Sequence, residues 1–578
     1  MSGTPVHAIR DFAFLADGER GALVDPQGEI QWLCFPGWAD EPVFGSLFGL
    51  PGSYTVRPGG RYTWGGYYEE GTLIWRSRWT LDSGAIVESR ETLSFPGDRR
   101  QALILRRIVG VQGRARIHAV LTLASGWAPT ATIPPAGVIA PGTWRWRQAG
   151  CHARWTCGEG ARPAEGGVGL DFDIQEGEER DLVLELAGEE PEHQLQPAAE
   201  LWEATAQAWQ AEVPDLDSHG ARREARTSFA VLRGLTSGGS GLVASCTTSL
   251  PERLDSGRLY DYRYVWIRDQ VYAGRAGATL GGGSLLENAT RFVSDRLLED
   301  GPGLRPVYTV EGGVVPEEKT LEIPGYPGAR PVTVGNRSGR QFQLDCFGEA
   351  LLLFASAAGH DLLQGREFEA ARKAAQAIEQ RWNEEDAGVW EQQPRWWTHS
   401  RLICAAGLKA LALALPSEEG ARWTLLADSL LTQAGQRSLR DDGGWRRAED
   451  DERVDASLLL AAIRGALPGH DPRSVCTLQA VQRQLVQDGF CWRFRSGEQL
   501  GEGEGAFTLC GFWMALAHLQ CGERAEAGRW FERSSSACGP AGLFSEEYDP
   551  AQRQQRGNLP QAFVHAGLLE CVGRMAEA

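Results

Sequence analysis

The chain reads as a multidomain β + α protein, an N-terminal antiparallel β-sandwich followed by an (α/α)6 barrel. Three observations carry that expectation. Strand-like runs fill residues 1–195, the hydrophobic period changes near residue 196, and about twelve helical segments follow. At 578 residues the chain also exceeds what one ordinary core supports, so more than one domain is expected.

The strand signals come first. "YTWGGYYEEGTLIWRSRWTLDSGAIVESRETLSF" strings short aromatic and β-branched runs between Gly and Asp-Ser-Gly turns. "QALILRRIVGVQGRARIHAVLTLA" continues it, punctuated by Gly110 and Gly113, and "TWRWRQAGCHARWTC" alternates bulky with polar residues. Residues 196–216, with "PAAELWEATAQAWQAEV", are expected to form a linker helix ended by Pro214. Residues 217–578 are expected to be the helical domain. Its segments start near 219, 268, 284, 341, 366, 399, 417, 453, 473, 506, 524 and 560. Several, such as "HSRLICAAGLKALALAL", are apolar around much of their circumference, as in a multilayered helical array. Six hairpins closing into a double ring fit the count. An open solenoid is the rival, and the lack of a fixed-period repeat weighs against it. The long loops between these helices are rich in Trp, Tyr, Gly and carboxylates, and loops on a rigid scaffold are where function concentrates.

Composition excludes several classes. Hydrophobic residues make up 42% and charged residues 23%, a globular balance, and the net charge of −18 disfavours nucleic acid and anionic membranes as partners. A neutral or cationic ligand suits it better, and a neutral carbohydrate falls in that class. The 21 Trp offer flat apolar faces that fit sugar rings, although core packing is the better explanation of any single Trp. The 12 Cys are scattered without paired zinc spacing, and several sit in apolar runs as buried thiols do. The N-terminus lacks the pattern of a signal peptide, and no apolar run reaches transmembrane length. A reducing cytoplasm is the expected address. The sequence does not fix the oligomeric state.

No HExxH, phosphate loop or GxSxG elbow occurs. No cofactor is expected, and the sequence does not fix metal or phosphate dependence. The remaining chemistry is carboxylates with aromatics. Glycosidic bond cleavage needs such a pair, one carboxyl protonated and one ionised. Trp390–Glu391 sets a Trp beside a candidate acid, and "GLFSEEYDP" sets Glu546 near Ser545 and Tyr548. Glu547, Asp549, Glu317 and Glu318 read as solvent-facing or structural. Glu502 and Glu504 either line a pocket or cap a helix, and His399 reads as a cap or packing residue.

"YDYRYVWIRDQ" opens a wider pattern. With "DFAFLADGERGALVDPQGEIQWLCFPG", "SCTTSLPE", "GYPGARPVTVGNRSGRQFQLDCFGEAL", "DAGVWEQQPRWWTHS", "VDASLLL", "EGAFTLCGFW" and "EEYDP…RGNLPQAFVH" in order, the chain resembles glycoside hydrolase family 15 nearly end to end. The likeness is to the bacterial glucoamylase-like or trehalase-like form with an N-terminal β-sandwich. It implies an (α/α)6 barrel and inverting, exo-acting hydrolysis of an α-glucoside, releasing β-glucose from the non-reducing end. Through it, Glu391 matches the general acid and Glu546 the general base. Arg268 and Asp269 match the clamp on the terminal glucose, and Tyr262 and Trp266 match aromatics beside that sugar. Trp390 and Tyr548 accompany the two carboxylates. Read without the resemblance, Arg268–Asp269 is a helix cap and ion pair. An inverting pair implies carboxyls about 6.5–9.5 Å apart.

The chain departs from the pattern at Tyr260, at Trp396–Trp397, at Arg401, at "PGWAD" and at "RSGR". These changes bear on the pocket beyond the first glucose, and so on the choice among maltooligosaccharides, isomalto-linked sugars and trehalose. An α-glucoside phosphorylase of similar architecture is one alternative, although phosphate attack needs no general base. A non-catalytic carbohydrate-binding protein is the other, although both carboxylates are retained.

Overall fold

The computed structural model describes residues 7–148, 150–191, 194–216, 219–253, 257–495 and 504–577. The expected domain boundary at 217 and Glu502 lie outside the described residues.

Two antiparallel sheets form the N-terminal part. One has eight strands and centres on Gln101–Gln112, which pairs with Ile86–Leu93 on one side and Glu179–Ala187 on the other. The other has nine and centres on Arg114–Ala124, between Ser53–Pro58 and Gly167–Gln175. Inward positions alternate with outward ones, as the pleat requires, and Arg114–Ala124 shows this along most of its length. Trp32, Trp75, Trp79, Trp146 and Trp155 are fully buried in this part. A buried arginine joins the sheets: Arg106 donates to Glu91 Oε2 at 2.6 Å, to Tyr54 O at 2.8 Å and to Gly28 O at 2.7 Å. These three acceptors are all protein groups, which is what a buried guanidinium demands.

The first helix, α1 (Ala198–Glu212), lies on the sandwich. Trp209 stacks on Phe95 at 3.9 Å between ring centroids, and Trp202 Nε1 donates to Asp181 Oδ1 at 3.0 Å.

Twelve helices follow among the described residues: α2 (Arg222–Leu235), α3 (Ile267–Thr279), α4 (Ser284–Asp300), α5 (Asp345–Ala358), α6 (Gly365–Arg381), α7 (Thr398–Ala414), α8 (Glu418–Arg437), α9 (Leu460–Ile463), α10 (Pro472–Gln484), α11 (Thr508–Gln520), α12 (Arg524–Ser535) and α13 (Ala562–Glu577). Packing sorts them into two layers. The sequence α3, α5, α7, α9, α11, α13 forms a ring of neighbours that closes from α13 back onto α3, and the other six lie outside it. This is the (α/α)6 barrel, not the open solenoid. Inner helices such as α7, α11 and α13 are buried along most of their length, which explains their lack of a polar face.

Several helices start later than periodicity suggests. Ala506–Phe507 pairs with Glu547–Tyr548 in a small three-stranded sheet, so α11 begins only at Thr508. Asp455 caps Ser457 N at 2.8 Å and opens a 3-10 turn, and α9 is then stopped by Gly465 at φ 82°.

Candidate active site

The inner helices α3, α11 and α13 begin beside one cavity of about 220 Å³. Trp266 and Arg268 come from the start of α3, Phe507 from the entry to α11, and Gln561 and Phe563 from the entry to α13. Loop residues supply the rest, including both candidate carboxylates, Glu391 and Glu546.

Glu391 sits at the tip of a turn braced from behind. Buried Asp386 accepts from Gly388 N at 2.8 Å and from Ser400 Oγ at 2.9 Å, and it forms an ion pair with buried Arg401. Gly388 adopts φ 68° with Trp397 packed against its Cα, and a Cβ there would lie 2.8 Å from Trp397 Cδ1. Glu391 itself holds φ 56°, a left-handed conformation that costs a non-glycine residue energy and marks sites whose surroundings over-determine them. Trp266 Nε1 donates to Glu391 Oε1 at 2.6 Å, the Ser338 hydroxyl donates to Oε2, and Arg268 Nη1 lies 3.9 Å from Oε1. Arg268 also donates to Val389 O at 2.8 Å, which ties the start of α3 to this turn.

Glu546 enters from another element. The strand Glu547–Asp549 pairs with Ala506–Phe507 and with Gln554–Arg556, and Thr508 N donates to Glu546 O at 3.0 Å. That fixes the backbone and turns the Glu546 side chain to the cavity. Tyr262 OH donates to Glu546 Oε1 and Oε2 at 3.1 and 3.0 Å. The Tyr262 ring meets that of Trp266 edge-on, 5.6 Å between centroids. Adjacent aromatic rings thus hold the two carboxylates, each by its own donor. Burial pushes the Glu546 carboxyl well above its ordinary range, and the neighbouring Glu252 adds to that.

Trp390 forms a wall. Its Nε1 donates to Asp455 at 2.8 and 3.0 Å, and its ring packs against Phe507 and Trp513. Of the eight residues expected at the site, Tyr262, Trp266, Arg268, Trp390, Glu391 and Glu546 line the cavity. Asp269 and Tyr548 are not among its lining residues. Asp269 is fully buried behind Arg268, whose Nε donates to its Oδ2 at 3.2 Å. Tyr548 packs on Phe490, 4.8 Å between centroids.

The structure adds lining residues that the sequence did not single out: Glu252, Arg493, Ser338 and Gln392. Glu252 closes the quoted motif "SCTTSLPE", which was the available signal; Arg493 in "CWRFRS" carried none. Glu504 lies behind them, accepting from Arg493 Nε at 2.9 Å and from Arg258 Nη1 at 3.2 Å. Glu547, expected to be solvent-facing or structural, is fully buried and accepts from Gly505 N at 2.7 Å. Glu317 and Glu318 are exposed. His399 is packed in the barrel, and burial lowers its pKa to about 3, so it stays neutral. All twelve cysteines are free. Among the described residues no helix is long and apolar enough to cross a membrane.

Comparison with known proteins agrees with this architecture. The chain is similar to the trehalase of Mycobacterium tuberculosis, 27% identical across 99% of this chain and 90% of that one. It is likewise similar to the trehalase of Mycolicibacterium smegmatis, 28% identical across 99% and 92%. Trehalase 1 of Sulfolobus acidocaldarius is 31% identical across 60% of this chain and 62% of its own length. Among solved structures, a bacterial glucoamylase complexed with acarbose superposes with a TM-score of 0.71 at 12% identity, covering 100% of this chain and 96% of that one, and so shares the fold. A trehalase-like N-terminal region matches residues 1–119. The glycosyl hydrolases family 15 profile matches residues 225–573, the span that supplies the cavity, and the chain is therefore a glycoside hydrolase belonging to that family.

Proposed function

We propose that this enzyme is an inverting, exo-acting α-glucoside hydrolase that releases β-glucose, with trehalose as its substrate. One observation carries the mechanism: Glu391 and Glu546 face the same cavity, each held by the polar tip of one of two touching aromatic rings.

Glu391 acts as general acid and Glu546 as general base. Glu546 takes a proton from water while the water oxygen bonds to the anomeric carbon from one face. The bond from that carbon to the leaving oxygen breaks on the other face, and Glu391 gives its proton to that oxygen. Glu391 ends ionised and Glu546 protonated, and exchange with solvent resets both. The Ser338 hydroxyl donates to Glu391 Oε2 and so stabilises the carboxylate that forms as Glu391 gives up its proton. Arg268 reaches the terminal glucose as a donor, with Asp269 fixing its guanidinium from behind. Trp266, Trp390 and Phe563 offer apolar faces to sugar rings. A phosphorylase would not need the Glu546–Tyr262 arrangement.

The choice of trehalose is supported by the two relatives aligned along nearly the whole chain, both trehalases. Initial rates on trehalose, maltose, isomaltose, panose and starch test it. Trehalose is expected to exceed the others by about ten-fold or more in kcat/KM. Turnover of maltose or starch without trehalose would overturn the substrate. Glu391→Gln and Glu546→Gln are each expected to lower kcat by about 10²–10⁴-fold with circular dichroism unchanged. Full activity in either variant would remove that residue from the mechanism.

A further inference from the structure

The cavity has a floor and a mouth. Arg268 lies on the floor with its side chain 12% exposed, and the Glu391 side chain is 24% exposed. Arg337 lines the same cavity and is exposed, so it stands at the mouth. Glu391 divides the two. Its Oε1 faces Trp266 and Arg268, and its Oε2 accepts from the hydroxyl of Ser338, the residue after Arg337. An acid that protonates the leaving oxygen must touch the leaving sugar. With the terminal glucose on the Arg268 side, the leaving glucose falls on the Ser338 side, toward solvent.

The turn that carries Arg337 is fixed from below. Gly335 N donates to Asp261 Oδ2 at 3.0 Å, and Asn336 Nδ2 donates to Asp261 O at 3.2 Å. Asn336 Oδ1 accepts from Ser338 N at 2.9 Å and so caps the 3-10 helix Arg337–Arg340. Gly335 holds φ 80°, and a Cβ there would lie 2.3 Å from Glu317 O. This "RSGR" turn is one of the places where the chain departs from the family pattern. Its two arginines differ. Arg340 pairs with Glu317 and does not line the cavity. Arg337 lines it, and among the described residues has no hydrogen-bond or ion-pair partner. Tyr260 shares the mouth, its ring stacked on that of Tyr262 at 6.2 Å between centroids. Burial, then the Glu252 charge, pushes the Tyr260 phenol up, and the Arg337 charge opposes them, as a guanidinium held near that ring would. A guanidinium is a planar fork of N–H donors, and adjacent hydroxyl oxygens of a glucose can accept from it.

We propose that Arg337 determines specificity for the leaving half of the substrate, donating to the hydroxyls of the glucose that departs from Glu391. This rests on Glu391 being the acid and trehalose the substrate.

The test compares kcat/KM on trehalose and on α-glucosyl fluoride, whose leaving group carries no sugar, for the wild type, Arg337→Ala, Arg340→Ala and Glu391→Gln. Arg337→Ala is expected to lose about ten- to a hundred-fold on trehalose and to stay within about two-fold on the fluoride. Arg340→Ala is expected to match the wild type on both. Undiminished trehalose hydrolysis in Arg337→Ala, or an equal loss on the two substrates, would overturn the proposal. So would a loss in Arg340→Ala as large as that in Arg337→Ala, because the turn and not the side chain would then matter. Fluoride departs with little need of a proton, so Glu391→Gln is expected to lose far more on trehalose than on the fluoride. Equal losses in Glu391→Gln would overturn the acid and with it the placing of the leaving glucose. A wild type that cleaves the fluoride and not trehalose would overturn the substrate, and this proposal with it.

Discussion

Neighbouring side chains on an extended backbone point to opposite sides, and this separates Glu546 from Glu547. Glu546 meets Tyr262 in the cavity, while Glu547 is buried against Gly505 N with its Oε1 unpartnered. Burial, with Glu504 and Glu546 nearby, raises Glu547 from 4.5 to about 8. The folded protein then holds a proton that the unfolded chain releases at 4.5. The stability this group contributes is full below pH 4.5 and is lost as pH rises to about 8. Gln is neutral throughout, so the melting midpoint of Glu547→Gln is expected to rise relative to wild type across that window. A difference that does not change with pH would contradict this. At this scale the sequence exposed Glu391 and Glu546 because each stands in a quoted motif. It did not expose Arg493, because nothing local to "CWRFRS" records that Glu504, Trp390 and Phe507 converge on it. Tyr548 packs on Phe490 and does not line the cavity, a contact that nothing local to "SEEYD" records.

The elements that carry the site are short and externally braced. The turn bearing Glu391 owes its shape to the buried Asp386–Arg401 pair behind it. Asp386→Ala would strand the Arg401 charge in the interior and is expected to cost about 3–5 kcal/mol, read by urea unfolding. It should also depress kcat by freeing the turn, and wild-type stability would contradict the bracing role. The existence of the helices was legible from apolar periodicity, because inner and outer helices repeat it for many turns. Their first residues were less so. Strand pairing of Ala506–Phe507 and the 3-10 turn before α9 are tertiary or capping effects that periodicity does not encode.

At the scale of the whole molecule, the sandwich buttresses the segments that hold the catalytic pair. Trp32 Nε1 donates to Cys246 O at 2.8 Å, at the start of the segment leading to Glu252. Arg263, next to Tyr262, pairs with buried Asp261 at 2.7 Å, donates to Asp40 O at 3.0 Å and lies against the rings of Trp32 and Trp127. Arg263→Ala is expected to destabilise the protein by about 3–5 kcal/mol, because Asp261 stays buried without its partner. Its kcat should fall as Tyr262 loses its anchor; a variant matching wild type in both would separate the sandwich from the site. Two-part architecture was legible from the change of period near residue 196. The Trp count was a poorer guide, since most of the 21 serve the interior and only Trp266 and Trp390 line the cavity. Inversion by Glu391 and Glu546 is tested most directly by proton NMR of trehalose hydrolysis at the earliest times. Trehalose joins two α-anomeric carbons, so inversion at one of them yields α- and β-glucose in equal amounts. That is the expected result, and α-glucose alone would contradict it.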